Sequence, residues 1–186
     1  MQPDKIKSIV EWKTPENVHE VRVFMGMSGY YRCFIKDFSL IAAPLDSLVK
    51  KDTAFRWTPE CQEAFDELKS RLVREPVLAL PQDDGTYVLD TDASNFGLGA
   101  VLSQQQPEGE KVIAYASRTV TQPEQKYETT RKELLAIIVG LKQFRQYLLG
   151  RHFIIRTDHA ALSWLCRTAE PMPQLARWLT FIEQFD

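Results

Sequence analysis

Apolar residues in the first third of the chain recur every three or four positions. Val18, Val21, Phe24, Met25, Ser28 and Tyr31 fall along one side of a helix, and Cys61, Ala64, Phe65, Leu68 and Leu72 do so again. Thr14-Pro15-Glu16 and Thr58-Pro59-Glu60 each supply a hydroxyl cap, a first-turn proline and an acid near the positive helix end, so each predicts a helix start. Glu75-Pro76 stops the second helix, because a residue before proline resists helical geometry. A shorter helix is expected over residues 39–49, which makes residues 1 to about 75 mainly helical.

The period changes after Pro76-Val77-Leu78-Ala79-Leu80-Pro81. Gln82-Asp83-Asp84-Gly85 reads as a turn, and residues 86–92, 97–104 and 111–117 read as strands joined by short connections, an antiparallel meander. Leu134, Ile137, Ile138, Leu141, Phe144 and Leu148 then predict one long helix over 130–149, closed by Gly150. A fourth strand follows over 153–157, and another helix over 173–185. Three strands, a helix and a strand make an α/β layer, and the crossover sets strand four parallel to strand one.

That topology gives three acids a common address. Asp92 ends the apolar run Tyr87-Val88-Leu89-Asp90-Thr91-Asp92, Asp158 ends Phe153-Ile154-Ile155-Arg156-Thr157-Asp158, and Glu133 lies on the apolar side of the long helix. Parallel strands bring Asp92 and Asp158 to corresponding ends, and Glu133 aims at the sheet. Carboxylates in apolar surroundings need basic partners or metal, and hard divalent cations take oxygen ligands. Such a trio around divalent ions suits phosphodiester cleavage. A glycosidase-type acid/base pair is the competing chemistry, but it leaves the third acid without a role. Each acid also has a local reading: Thr130-x-x-Glu133 fits a capping box, Asp92 with Ser94 a turn, and Thr157-Asp158 the start of another.

Composition narrows the classes. With 186 residues, 44% hydrophobic and 26% charged, the chain suits one or two globular domains. No apolar run reaches the length of a membrane span, and the N-terminus lacks a secretion-signal layout, so a cytoplasmic or nuclear protein is expected. Cys33, Cys61 and Cys166, like His19, His152 and His159, are too scattered for a disulfide framework or a zinc site. The net charge of -2 conceals a basic stretch: Lys126, Arg131, Lys132, Lys142, Arg145, Arg151 and Arg156 face only Glu128, Glu133 and Asp158. If metal neutralises the last two acids, this segment forms a track for phosphates.

Leu89-Asp90-Thr91-Asp92-Ala93-Ser94 followed by Gly97-Leu98-Gly99-Ala100-Val101-Leu102-Ser103-Gln104 resembles the opening of the ribonuclease H domain in reverse transcriptases of gypsy-type LTR retrotransposons. Ala114-Tyr115-Ala116-Ser117-Arg118, the run from Tyr127 through Arg131-Lys132-Glu133 to Ala136, Phe144-Arg145-Gln146-Tyr147-Leu148-Leu149-Gly150 and Arg156-Thr157-Asp158-His159 resemble its later motifs. Upstream, Phe24-Met25-Gly26-Met27-Ser28-Gly29-Tyr30-Tyr31-Arg32, Ile41-Ala42-Ala43-Pro44-Leu45 and Ala64-Phe65-Asp66-Glu67-Leu68-Lys69 resemble the thumb and connection.

The resemblance implies a small helical thumb/connection region, residues 1–80, then an RNase H-like mixed sheet, residues 81–186, with an edge strand missing. It makes Asp92, Glu133 and Asp158 three of four catalytic, metal-binding acids, Mg2+ the cofactor with Mn2+ as a substitute, and an RNA/DNA hybrid the substrate. Asp92 would bridge both ions, Glu133 would help read the ribose, and Asp158 would complete the site around the attacking water. Ser94, Asn95, Ser117, Arg118 and Arg131 are the expected strand contacts. The parent polyprotein, working in a retroelement particle, would supply the polymerase fingers and palm and the C-terminal RNase H segment. A catalytically inactive remnant that binds nucleic acid, or has no activity, is the alternative.

Overall fold

The computed structural model describes residues 8–51, 53–74, 78–157 and 173–186. Two compact units divide it, Met1–Val77 and Leu78–Asp186.

The first unit is built on three helices, α1 (Val18–Tyr30), α2 (Phe38–Leu48) and α3 (Pro59–Val73). Their apolar stripes close on Val21, Phe24, Leu45, Phe65 and Leu68, all buried. The rings of Phe24 and Phe65 lie 4.6 Å apart at the centre, with Trp12 and Trp57 edge-on around them. Thr58 caps α3 as expected, accepting from the Cys61 N–H. The first cap differs from expectation. Asn17, not Thr14, caps α1, its side chain accepting from Glu20 N at 3.0 Å. Pro15 is buried, and the Thr14 hydroxyl turns to Gln62 instead.

The second unit holds β1 (Tyr87–Ala93), β2 (Gly97–Gln106), β3 (Gly109–Thr119), the short α4 (Gln122–Gln125), α5 (Thr129–Gln143), α6 (Arg145–Leu148), β4 (Phe153–Thr157) and α7 (Pro173–Ile182). Sheet order is β3-β2-β1-β4, antiparallel except for the parallel β1–β4 pair. Strand four thus runs as the crossover rule requires. Leu89, Ala100 and Leu102 of the sheet meet Ile137, Leu141, Phe144 and Leu148 in one core. Gly140 marks the closest approach: a Cβ there would stand 3.2 Å from both the Ala100 Cβ and a Leu89 methyl. A glycine inside a helix is ordinarily unfavourable, and this contact explains it.

The single long helix of the sequence reading is in fact two. Phe144 leaves helical geometry at φ -102, ψ 15, ending α5 before α6 begins. Phe144 and Leu148, on either side of the break, both stay in the core. Gly150 follows α6 with φ +74, the left-handed conformation of a helix stop. Gln104 is buried in β2 and fastens the loop before β1, accepting from Gln82 N at 2.9 Å and donating to Gln82 O at 2.8 Å. No helix among the described residues is long and apolar enough to cross a membrane.

Candidate active site

The parallel register ends at Thr91 opposite Thr157. These are the residues immediately before Asp92 and Asp158. Asp92 itself is next to last in β1 and exposed. Leu89 and Ala93 pack toward α5, so strand alternation puts Asp92 out of step with them and into solvent. No hydrogen bond or ion pair within the described residues engages its carboxylate. Asp158 lies outside the described residues, as do His159 and Cys166.

Glu133 is buried in the second turn of α5. It does not form a capping box, because the helix starts at Thr129 with Glu128 as its cap residue, two residues too early for Thr130 to act as one. The start of α5 is tied to the end of β1 by its neighbour. Lys132, also buried, donates from Nζ to Asn95 Oδ1 at 2.7 Å, three residues beyond Asp92. Glu133 and Asp92 therefore belong to the same end of the sheet. Among the described residues no three His, Cys, Asp or Glu side chains gather into a group that could hold a metal.

The expected strand contacts are largely occupied within the protein. Ser94 organises the β1–β2 turn, its Oγ accepting from the N–H groups of Phe96 at 3.2 Å and Gly97 at 3.0 Å. Asn95 receives Lys132. Arg118 grips Glu124 through two bonds of 2.9 Å. Arg131 stacks on Tyr127, 3.8 Å from the ring centre, and donates to Gln174. Ser117 sits in β3, opposite Gly99.

The basic track fares similarly. Lys142 lies over Phe181, Arg145 over Phe185 and Arg151 over Tyr87. Arg156 binds Asp90 at 2.7 and 2.8 Å and also reaches Glu110. Each of these four cations is matched to a ring or an acid. The hydrogen bond from Arg118 holds the Glu124 carboxyl down at about 2, helped by the Thr121 N–H that it caps. A carboxyl pulled below its usual 4.5 stabilises the fold above that value and loses its contribution as pH falls toward 2. Glu124→Gln is thus expected to cost roughly 1 kcal/mol at pH 6, partial exposure of Arg118 limiting the effect, and progressively less below pH 4. Urea titrations of both proteins across that range measure the gap.

Residues 57–155 match the family described as the RNase H-like domain found in reverse transcriptase. The retrovirus-related Pol polyprotein from transposon 297 of Drosophila melanogaster is 44% identical over 98% of this chain, which covers 17% of that protein. The Pol polyprotein from transposon gypsy of the same species is 38% identical over 98% of the chain, covering 18% of that relative. The Tf2-3 polyprotein of Schizosaccharomyces pombe is 37% identical over 98%, covering 14%. The chain thus spans less than a fifth of these relatives. Among solved structures, the foamy viral protease-reverse transcriptase matches in complex with double-stranded DNA at TM-score 0.84 and with RNA/DNA hybrid at 0.79. Both are 23% identical and cover 98% of this chain, and the chain covers 33% and 26% of them. Their likeness is one of fold: a four-stranded mixed sheet with its crossover helix. Sheet order, parallel β1–β4 register and a match across more than half the residues agree, and the chain belongs to the RNase H-like domain family of retroelement reverse transcriptases.

Proposed function

We propose that this protein hydrolyses the RNA strand of an RNA/DNA hybrid, using Asp92, Glu133 and Asp158 with divalent magnesium. The β1–β4 register supports the reading, because it ends at Thr91 opposite Thr157, the residues that immediately precede Asp92 and Asp158 in sequence. The donor set suits a hard cation. Asp92 offers an exposed carboxylate that engages no described residue, and Glu133 adds a second carboxylate from α5 at the same end of the sheet. Manganese is an acceptable substitute on the same grounds.

Magnesium, when bound, supplies charge for the scissile phosphate and lowers the pKa of the attacking water. The protein's part is to hold and orient. Asp92 presents its oxygens from the end of β1, Asp158 would add a third carboxylate, and Glu133 accepts a hydrogen bond from the ribose 2′-hydroxyl, the group by which RNA differs from DNA. The hybrid supports the backbone contacts, and the remaining Pol polyprotein supplies the polymerase fingers and palm and the rest of the nuclease segment.

The test is a panel of end-labelled hybrid, duplex DNA and duplex RNA. Cutting confined to the RNA strand of the hybrid, abolished by EDTA and restored by excess magnesium, is expected. Equal cutting of duplex DNA, or cutting that survives EDTA, overturns the assignment; hybrid binding without turnover favours an inactive remnant.

A further inference from the structure

The turn between β1 and β2 is fastened at nearly every polar group. Besides the two bonds it accepts, Ser94 Oγ donates to Gly97 O at 3.1 Å, and Ser94 N donates to the same oxygen at 2.8 Å. Val120 N donates to Phe96 O at 3.0 Å, tying the turn to the chain after β3. Lys132 holds Asn95 from α5. The Ser94 hydroxyl and the Asn95 amide oxygen are therefore both engaged within the protein, although Asn95 remains exposed. Beside Asn95 it presents to solvent the ring of Phe96, 73% exposed. Single exposed apolar residues are ordinary on protein surfaces. This one differs in its setting: it stands on a mount fixed from three elements, four residues after Asp92.

We propose that Phe96 is a positioning residue that lays its ring in the minor groove of an RNA/DNA hybrid, against the sugars next to the phosphate to be cut. The inference rests on the nuclease reading above. A hybrid's bases are stacked and closed to a surface ring, whereas a wide, shallow minor groove displays sugar edges and 2′-hydroxyls. A phenyl ring has no hydrogen-bonding atoms, so its contact reads groove shape and not sequence. Nor does it release counterions. Phosphate contacts weaken steeply with salt, and the contribution of Phe96 does not. A rigid mount also removes the ordering cost that a mobile loop would add on binding.

Binding is measured on the full chain carrying Asp92→Asn, in magnesium, by anisotropy of a fluorescent hybrid at several salt concentrations. Adding Phe96→Ala is expected to weaken affinity about 5- to 10-fold, the size of effect that loss of one apolar contact at an interface produces. The slope against salt and the melting temperature stay unchanged, and Phe96→Trp restores affinity. With Asp92 intact, Phe96→Ala raises KM by a similar factor and leaves kcat within about 2-fold. Unchanged hybrid affinity overturns the proposal, as does absence of hybrid binding by the parent chain. A shift in oligomeric state on Phe96→Ala also overturns it and assigns the ring to a protein contact. Failure of the nuclease reading looks different: no magnesium-dependent cutting by the unmodified chain, with the Phe96 effect on binding intact.

Discussion

Asp92→Asn is expected to lower magnesium-dependent cutting of the RNA strand by at least about 100-fold, the factor that loss of roughly 3 kcal/mol of charge stabilisation produces. The substitution keeps the shape and removes the charge. An amide oxygen is a poor ligand for a hard divalent ion beside a phosphate, so the loss falls on the reacting state. Stability should hardly move, because Asp92 is exposed and no described residue pairs with it. A change within about 0.5 kcal/mol is the surface expectation. Single-turnover cleavage and thermal melting on the same preparation separate these effects. A variant that cuts at the parental rate places the chemistry elsewhere.

Leu141→Ala carries the largest expected effect on folding, a loss of about 2 to 5 kcal/mol. Leu141 is fully buried in α5, and it shares its core with Leu89 and Leu102 of the sheet. Its removal deletes transfer energy and leaves a cavity that a helix pinned at Gly140 cannot readily collapse. Leu149, 45% exposed just beyond α6, is the control, and its alanine variant should fall within about 0.5 kcal/mol of the parent. Urea unfolding of both variants, followed by far-UV circular dichroism, gives the comparison. Equal losses in the two would mean that α5 does not carry the core of this unit.

Periodicity and chain chirality were enough to read the order of elements and the parallel β1–β4 pair, because both depend on local pattern plus one strong rule of handedness. They also predict one level for Asp92 and Asp158, of which the structure describes Asp92 alone, at the end of β1. Contacts that arise only after folding were not legible. Thr14 has a better hydroxyl sequence context than Asn17, yet tertiary packing buries Pro15 and moves the cap. Phe144 continues the helical stripe in sequence, and its backbone breaks the helix. Arg118 and Arg131 read as contacts to a nucleic-acid strand, and nothing in a linear pattern reveals Glu124 or Tyr127 within their reach. Phe96 carries no linear signal for the opposite reason: one aromatic between Asn95 and Gly97 has no period, and only its fixed, solvent-facing mount gives it meaning.

The intimate contact at Gly140 also works as the zero mark of two rulers. From Leu89, three residues of extended strand span about 10 Å to Asp92. From Gly140, seven residues of helix span about 10.5 Å to Glu133. Both rulers run the same way, since Lys132 reaches Asn95 beyond the far end of β1. Two acids forty-one positions apart in sequence thus come level along the sheet because a missing methyl group lets one helix settle at a single height.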